Sequence, residues 1–321
     1  MENSTTQNTN ITKQIGVPFS PLQHEKLFFV QVLVGVFLYV NCLMIFTFFQ
    51  KEAFRPDTRY ILFAQTLFLD SILMVMTDLA SVGHYFGYPI PCIPCVILCV
   101  LMSWVSSGTP LTLVAMCLER YVAICMPLRH ADIFSSRTRL VGLLLIWCLS
   151  SIPSLIEFFA FVASAPSSFW ASSIICSLNA LNIHSWHTNL RNAVSQLYFL
   201  TMSAVIVFTY VKIMAAARAA SSENKKSTTK SVKTIVLHAF QLFLCSFQFW
   251  CPLIESAVFE IDFMLFINVR YSNFILFLIS PRCLSPLIYG LRDEKFFLVM
   301  KYYAFLGINK KTSPFFNSSV S

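Results

Sequence analysis

Charge is scarce in this chain. Asp, Glu, Lys and Arg make up 12% of its 321 residues, against 56% hydrophobic. A water-soluble domain carries about a quarter charged residues, because its surface must be hydrated. Too few charges remain here to coat such a surface, and the 32 phenylalanines suit one that faces lipid. Chemistry-bearing motifs are scarce too. There is no phosphate-binding Gly-rich loop, no Gly-x-Ser-x-Gly element and no catalytic set of titratable residues. We therefore expect no enzyme and no cofactor. His84, His184 and His187 match no zinc spacing with the cysteines, so no metal is expected. The net charge of +8 is scattered between apolar runs instead of forming one patch, which speaks against nucleic acid. Residues 1–26 are polar and show no cleavable signal peptide, so the first apolar run is expected to act as its own insertion signal. No internal repeat or charged ring supports a transporter or channel.

Seven apolar stretches are present instead. A bilayer core about 30 Å thick needs about 20 apolar residues in a helix. Candidates lie near Leu27–Phe49, Tyr60–Val82, Cys95–Leu118, Leu140–Ala163, Asn192–Ala215, Thr234–Ala257 and Tyr271–Gly290. The expected fold class is an all-α membrane protein: a seven-transmembrane helix bundle over residues 27–290, with the lipid bilayer as its solvent. Of 23 Lys and Arg residues, 18 fall in the loops after spans one, three and five and in the C-terminal tail, or at the span ends beside them. The positive-inside rule then places residues 1–26 outside and 291–321 in the cytoplasm of a multi-pass plasma-membrane protein. Sequons at Asn3 and Asn10 lie on the side where glycosylation occurs. The run Arg292–Leu306 mixes basic and aromatic residues and suits a short amphipathic helix along the inner membrane surface.

Specific motifs sharpen this picture. Glu119-Arg120-Tyr121 closes the third span, followed by Val122-Ala123-Ile124-Cys125 and Pro127-Leu128-Arg129-His130. Asn41 and Asp70 lie in spans one and two, Trp147 in span four and Thr209-Tyr210 in span five. Trp250-Cys251-Pro252 lies in span six and Ser285-Pro286-Leu287-Ile288-Tyr289 in span seven. In this order the set resembles the rhodopsin-like G-protein-coupled receptors, and among them odorant receptors, with a divergent fish-type group as the preferred fit. Glu119 stands where odorant receptors usually carry Asp, and Ser285 where the family carries Asn.

The resemblance implies a chemosensory receptor that binds a small, odorant-like and mostly apolar molecule in the outer half of the bundle and activates a heterotrimeric G protein. A non-olfactory receptor for a lipid or peptide is the alternative. Helical counting from Arg120 places Met102, Ser103, Ser106 and Ser107 at ligand depth, with Trp250, Leu253, Ile254 and Ala257 from span six. Biogenic-amine receptors carry Asp at the place of Met102. Glu119, Arg120, Tyr121 and Tyr210 are implied to meet the G protein. Asn41, Asp70, Pro252, Arg282, Ser285, Pro286 and Tyr289 are implied to form an intramembrane switch. The family's disulfide maps to Cys95 and Cys176, with Cys92 a rival partner. Many relatives bind sodium beside the residue matching Asp70. Here Arg282 is expected to supply that positive charge by pairing with Asp70; a wet cavity or Glu255 is the alternative partner.

Overall fold

The computed structural model describes residues 21–50, 52–54, 56–176, 183–220, 240–241, 243–284 and 299–301. Its long helices are α1 (Pro21–Gln50), α2 (Thr58–Tyr85), α3 (Cys92–Cys125), α4 (Ser136–Ser164) and α5 (Ser185–Ala220). Each is built on an apolar stretch. A bilayer offers no water to backbone amides and carbonyls, so the chain must satisfy them within its own helix. Hydrogen bonding runs past the apolar stretches, and polar side chains cap the starts of α2 and α4. Asp57 accepts from the Arg59 amide at 2.9 Å ahead of α2, and Ser135 accepts from the Thr138 amide at 3.4 Å ahead of α4.

The sixth stretch is interrupted. Helical residues at 240–241 and 243–247 give way to a turn at 248–250, and α6 resumes over Cys251–Phe259. Pro252, near the start of α6, has no amide to donate, so an unbroken helix through this point would lack a bond. The last helix, α7 (Phe263–Asn273), begins eight residues before Tyr271 and continues through a π-helical turn, Phe274–Ile279. Among the described residues, six helices are long and apolar enough to cross a membrane: α1 to α5 and the helix spanning Met264–Leu284. Residues 234–239, 242 and 285–290 of the expected sixth and seventh spans lie outside the described residues. So do Ser285, Pro286, Tyr289, Asn3 and Asn10. Of the expected amphipathic helix only 299–301 is described, and it is helical.

Large apolar side chains cover the outside as well as the core, while several polar ones are turned inward. Leu144, Leu145, Leu200, Val207 and Phe208 are exposed, whereas Asn41, Thr66, Asp70, Thr109, Gln241 and Arg282 are fully buried. α3 forms the axis: half of its span is buried, against 22% for α4 and 17% for α5. A Cβ added at Gly108 would meet the tip of the Leu69 side chain, Cδ1, at 3.0 Å, so α2 and α3 approach closely there and a larger residue would make Leu69 shift. One apolar core, around Met44, Phe63, Leu113 and Met116, fills the end that carries Glu119. Another, around Leu73, Cys99, Met102 and Phe161, fills the opposite end.

That opposite end is covered by a fastened loop. Strands β1 (Pro89–Pro91) and β2 (Ser173–Ile175) pair antiparallel, with Ile90 facing Ile174. The Cys92 amide donates to the Ser172 carbonyl at 3.0 Å. The loop then joins α3 through the Cys95–Cys176 disulfide, with Cys92 left as a buried free thiol.

Candidate functional site

Halfway through the bundle, four helical segments meet in one polar network. Arg282 Nε lies 3.6 Å from Asp70 Oδ1, and both side chains are essentially inaccessible to water. The Thr109 hydroxyl donates to the same Asp70 oxygen at 2.8 Å. Arg282 Nη2 donates to Gln248 Oε1 at 3.1 Å, and Gln248 Nε2 donates to the Ser106 carbonyl at 3.1 Å. Arg282 Nη1 reaches the Leu278 carbonyl at 2.5 Å, in the π-helical turn. A single unpaired ion in hydrocarbon costs several kcal/mol, and here each ion is met by the other and by fixed dipoles. Glu255, the alternative partner of Arg282, instead accepts from Asn273 Nδ2 at 3.2 Å. Asn41 is fully buried, but its amide makes no hydrogen bond among the described residues.

Gln248 was not singled out in the sequence, yet it joins the network to the expected ligand-facing residues. It ties Ser106 of α3 to the turn that ends in Trp250. Met102 and Ser107 are buried, and the Ser107 hydroxyl donates to the Ser103 carbonyl at 3.1 Å. Ser103, Ser106 and Ile254 are half-buried, whereas Leu253 and Ala257 are exposed. Trp250 packs edge-on against Phe199, with ring centroids 5.5 Å apart, and Phe247 stacks on it. The structure therefore brings the serine side of α3 and the Trp250 turn together. It sets Leu253 and Ala257 on the outer side of α6. Near the loop, Cys99 Sγ lies 3.9 Å from Cys176 Sγ. The Cys95, Cys99 and Cys176 sulfurs cluster, but two of them are joined to each other, so they do not amount to a metal-binding set.

The second polar cluster sits at the C-terminal end of α3. Glu119 is buried, with Oε1 3.1 Å from His130 Nε2 and Oε2 3.5 Å from Arg120 Nε. The imidazole thus makes the hydrogen bond and the neighbouring guanidinium only an ionic contact. Beside them a cavity of about 300 Å³ is lined by Asp57, Arg59, Glu119, Arg120 and His130 among others. Arg59 grips Asp57 through Nε and Nη2, at 3.0 and 2.5 Å from Oδ2. Burial pushes the Asp57 carboxyl up, but the hydrogen bonds from Arg59 and the charges of Arg59 and Arg120 outweigh it and hold it below the usual carboxylate range. Arg139 of α4 donates to the Pro56 carbonyl at 2.6 Å. Tyr121 and Tyr210 are half-buried, and the Tyr121 ring lies 5.8 Å from that of Phe208 on α5.

Residues 40–289 match the family described as 7 transmembrane receptor (rhodopsin family). The chain is 51% identical over 306 residues to Odorant receptor 131-2 of Danio rerio, covering 95% of this chain and 91% of that one. It is 28% identical to Olfactory receptor 52A1 of Homo sapiens over 222 residues, covering 61% and 65% of the two chains. With Olfactory receptor 4K14 of Homo sapiens it shares 25% identity over 297 residues, 87% and 90% of the two.

Proposed function

The chain belongs to the rhodopsin family of seven-transmembrane receptors, and on that premise we propose that it detects a small, mostly apolar odorant and passes the signal to a heterotrimeric G protein. The 51% identity to a fish odorant receptor along nearly the whole chain is the observation that carries this reading. In this proposal the disulfide-fastened loop faces outside, residues 1–26 are extracellular, and the Glu119 end meets the cytosol. Bundle residues 27–290 hold the ligand, with the remaining 291–321 forming the inner helix and tail. Met102, Ser103, Ser106 and Ser107 line one wall of the ligand cavity and Trp250 and Ile254 the other, while Leu253 and Ala257, exposed on the outer side of α6, are not part of it. Serines among apolar neighbours suit a ligand with one or two hydrogen-bonding groups.

Activation follows as a population shift. A ligand that binds better when α6 has swung about the 248–250 turn and Pro252 favours that state in proportion to its differential affinity. The link from Ser106 through Gln248 to Arg282 supports a route from ligand to the mid-bundle switch, which also takes in Asn41, Asp70, Ser285, Pro286 and Tyr289. Opening then releases Arg120, beside Glu119, Tyr121 and Tyr210, towards the G protein. A cyclic-AMP reporter screen against a diverse odorant panel tests this in cells expressing the chain. An odorant should raise cyclic AMP in wild type and not in Arg120→Ala at equal surface expression. A response that survives Arg120→Ala would refute the coupling role.

A further inference from the structure

His130 is absorbed by none of the roles above, yet it makes the one hydrogen bond to Glu119 seen among the described residues. It opens a four-residue helix, His130–Ile133, reached from α3 through Met126 and a 3-10 turn, Pro127–Arg129. It lies eleven positions after Glu119, and the chain turns back at Met126 to bring the imidazole under the carboxylate. Its side chain is 35% exposed while that of Glu119 is 3% exposed, so a proton can reach the ring more readily than the carboxylate. The Phe134 ring lies 5.1 Å from the imidazole and confines it. The charged groups facing this spot are Asp57 and Arg59 from α2 and Glu119 and Arg120 from α3; Arg139 of α4 is tied to the neighbouring Pro56, and Asp132 lies on His130's own helix. Asp57 and Arg59 satisfy one another. Glu119 is therefore the carboxylate left for His130 and Arg120 to share.

We propose that His130 is a positioning residue that competes with Arg120 for Glu119, so that a proton on the imidazole loosens Arg120 and makes coupling sensitive to cytosolic pH. The inference rests on the receptor reading above for which side this end faces. Imidazole is the side chain whose charge ordinarily changes between pH 5 and 8. The neutral ring already donates Nε2–H to Glu119. The charged ring turns that bond into a charge-assisted one and repels the Arg120 guanidinium at the same time. Both effects act in one direction. Acid strengthens the loop's hold on Glu119 and weakens that of Arg120, and the adjoining cavity gives the freed guanidinium room to move.

The test uses full-length receptor in lipid nanodiscs, as wild type, His130→Gln and His130→Arg. Hydrogen exchange of residues 126–135, read at pH 6.0 and pH 7.8, needs neither ligand nor G protein. Wild type should match His130→Gln at pH 7.8 and be more protected at pH 6.0 by about fivefold, the order expected when a neutral bond becomes charge-assisted. Equal protection at both pH values overturns the proposal. Basal nucleotide exchange on a stimulatory heterotrimer should rise about threefold in wild type from pH 7.8 to 6.0, stay level in His130→Gln and stay high in His130→Arg. An equal acid rise in His130→Gln also overturns it, because titration of Glu119 itself would then be the cause. Absence of exchange in every variant at every pH counts against the receptor reading, while hydrogen exchange still decides the role of His130.

Discussion

The two polar clusters use the same residue types under opposite conditions. Asp70 and Arg282 lie where water does not reach, fixed by Thr109, Gln248 and the Leu278 carbonyl. Arg120, Asp57, Arg59 and His130 sit at a cavity where side chains retain partial exposure, around a Glu119 that is itself buried. Desolvation makes a buried ion depend on its partner, so the mid-bundle pair holds four helical segments in one arrangement. At the edge, solvent and competing cations make each contact cheap to exchange. The first cluster suits a pivot that must not slip, and the second suits a contact that must be released.

Breaking the buried pair should have the largest effect. Asp70→Asn or Arg282→Gln alone should lower stability by about 3 kcal/mol or more, since each leaves an uncompensated buried charge. The double variant should recover part of that loss, with a coupling energy of about 1–3 kcal/mol in thermal-shift assays on purified receptor. Additive losses would mean that the two charges do not act as a pair. Gln248→Leu tests the next link and should cost about 1 kcal/mol, since Arg282 keeps Asp70 and the Leu278 carbonyl. Its agonist potency should fall more than its stability.

Ionic conditions sharpen the comparison further. If the guanidinium fills the place that sodium takes in relatives, exchanging sodium for potassium should move agonist potency by less than about twofold, because an ion with no site in either state has no differential affinity and shifts nothing. A sodium effect that disappears in Asp70→Asn would show the site open. The smallest effect belongs to the edge pair. Asp57 is held below its usual range, so its contribution is present above the unfolded value of about 3.9 and is lost as pH falls through the lower folded value. Asp57→Asn should therefore lower the thermal midpoint modestly at pH 7, by an energy of about 0.5–1 kcal/mol for so exposed a pair. The gap between the variants should close as the medium is acidified below pH 4.

How much of this was legible from the sequence depended on how local the cause was. The apolar runs announced α1 to α5, because lipid forces any such run to satisfy its own backbone. Pro252 announced a discontinuity, but the turn at 248–250 depends on what packs around Phe249 and Trp250, which no run of letters displays. Depth along the chain made Asp70 a candidate partner for Arg282. Only geometry set Glu255 aside, by giving it Asn273. Cys92 and Cys95 differ by three positions on one helix, and the loop register chose between them. Gln248 stayed hidden because an uncharged polar residue demands no partner when read alone. His130 stayed hidden because its partner lies across a chain reversal.

The comparison between pivot and edge is tested most directly by measuring thermal stability and agonist-driven nucleotide exchange side by side for Arg282→Met and Arg120→Ala. The account predicts that Arg282→Met loses stability by about 3 kcal/mol or more, while Arg120→Ala stays within about 1 kcal/mol of wild type and loses exchange. Equal destabilisation by the two changes, or exchange that persists without Arg120, would contradict it.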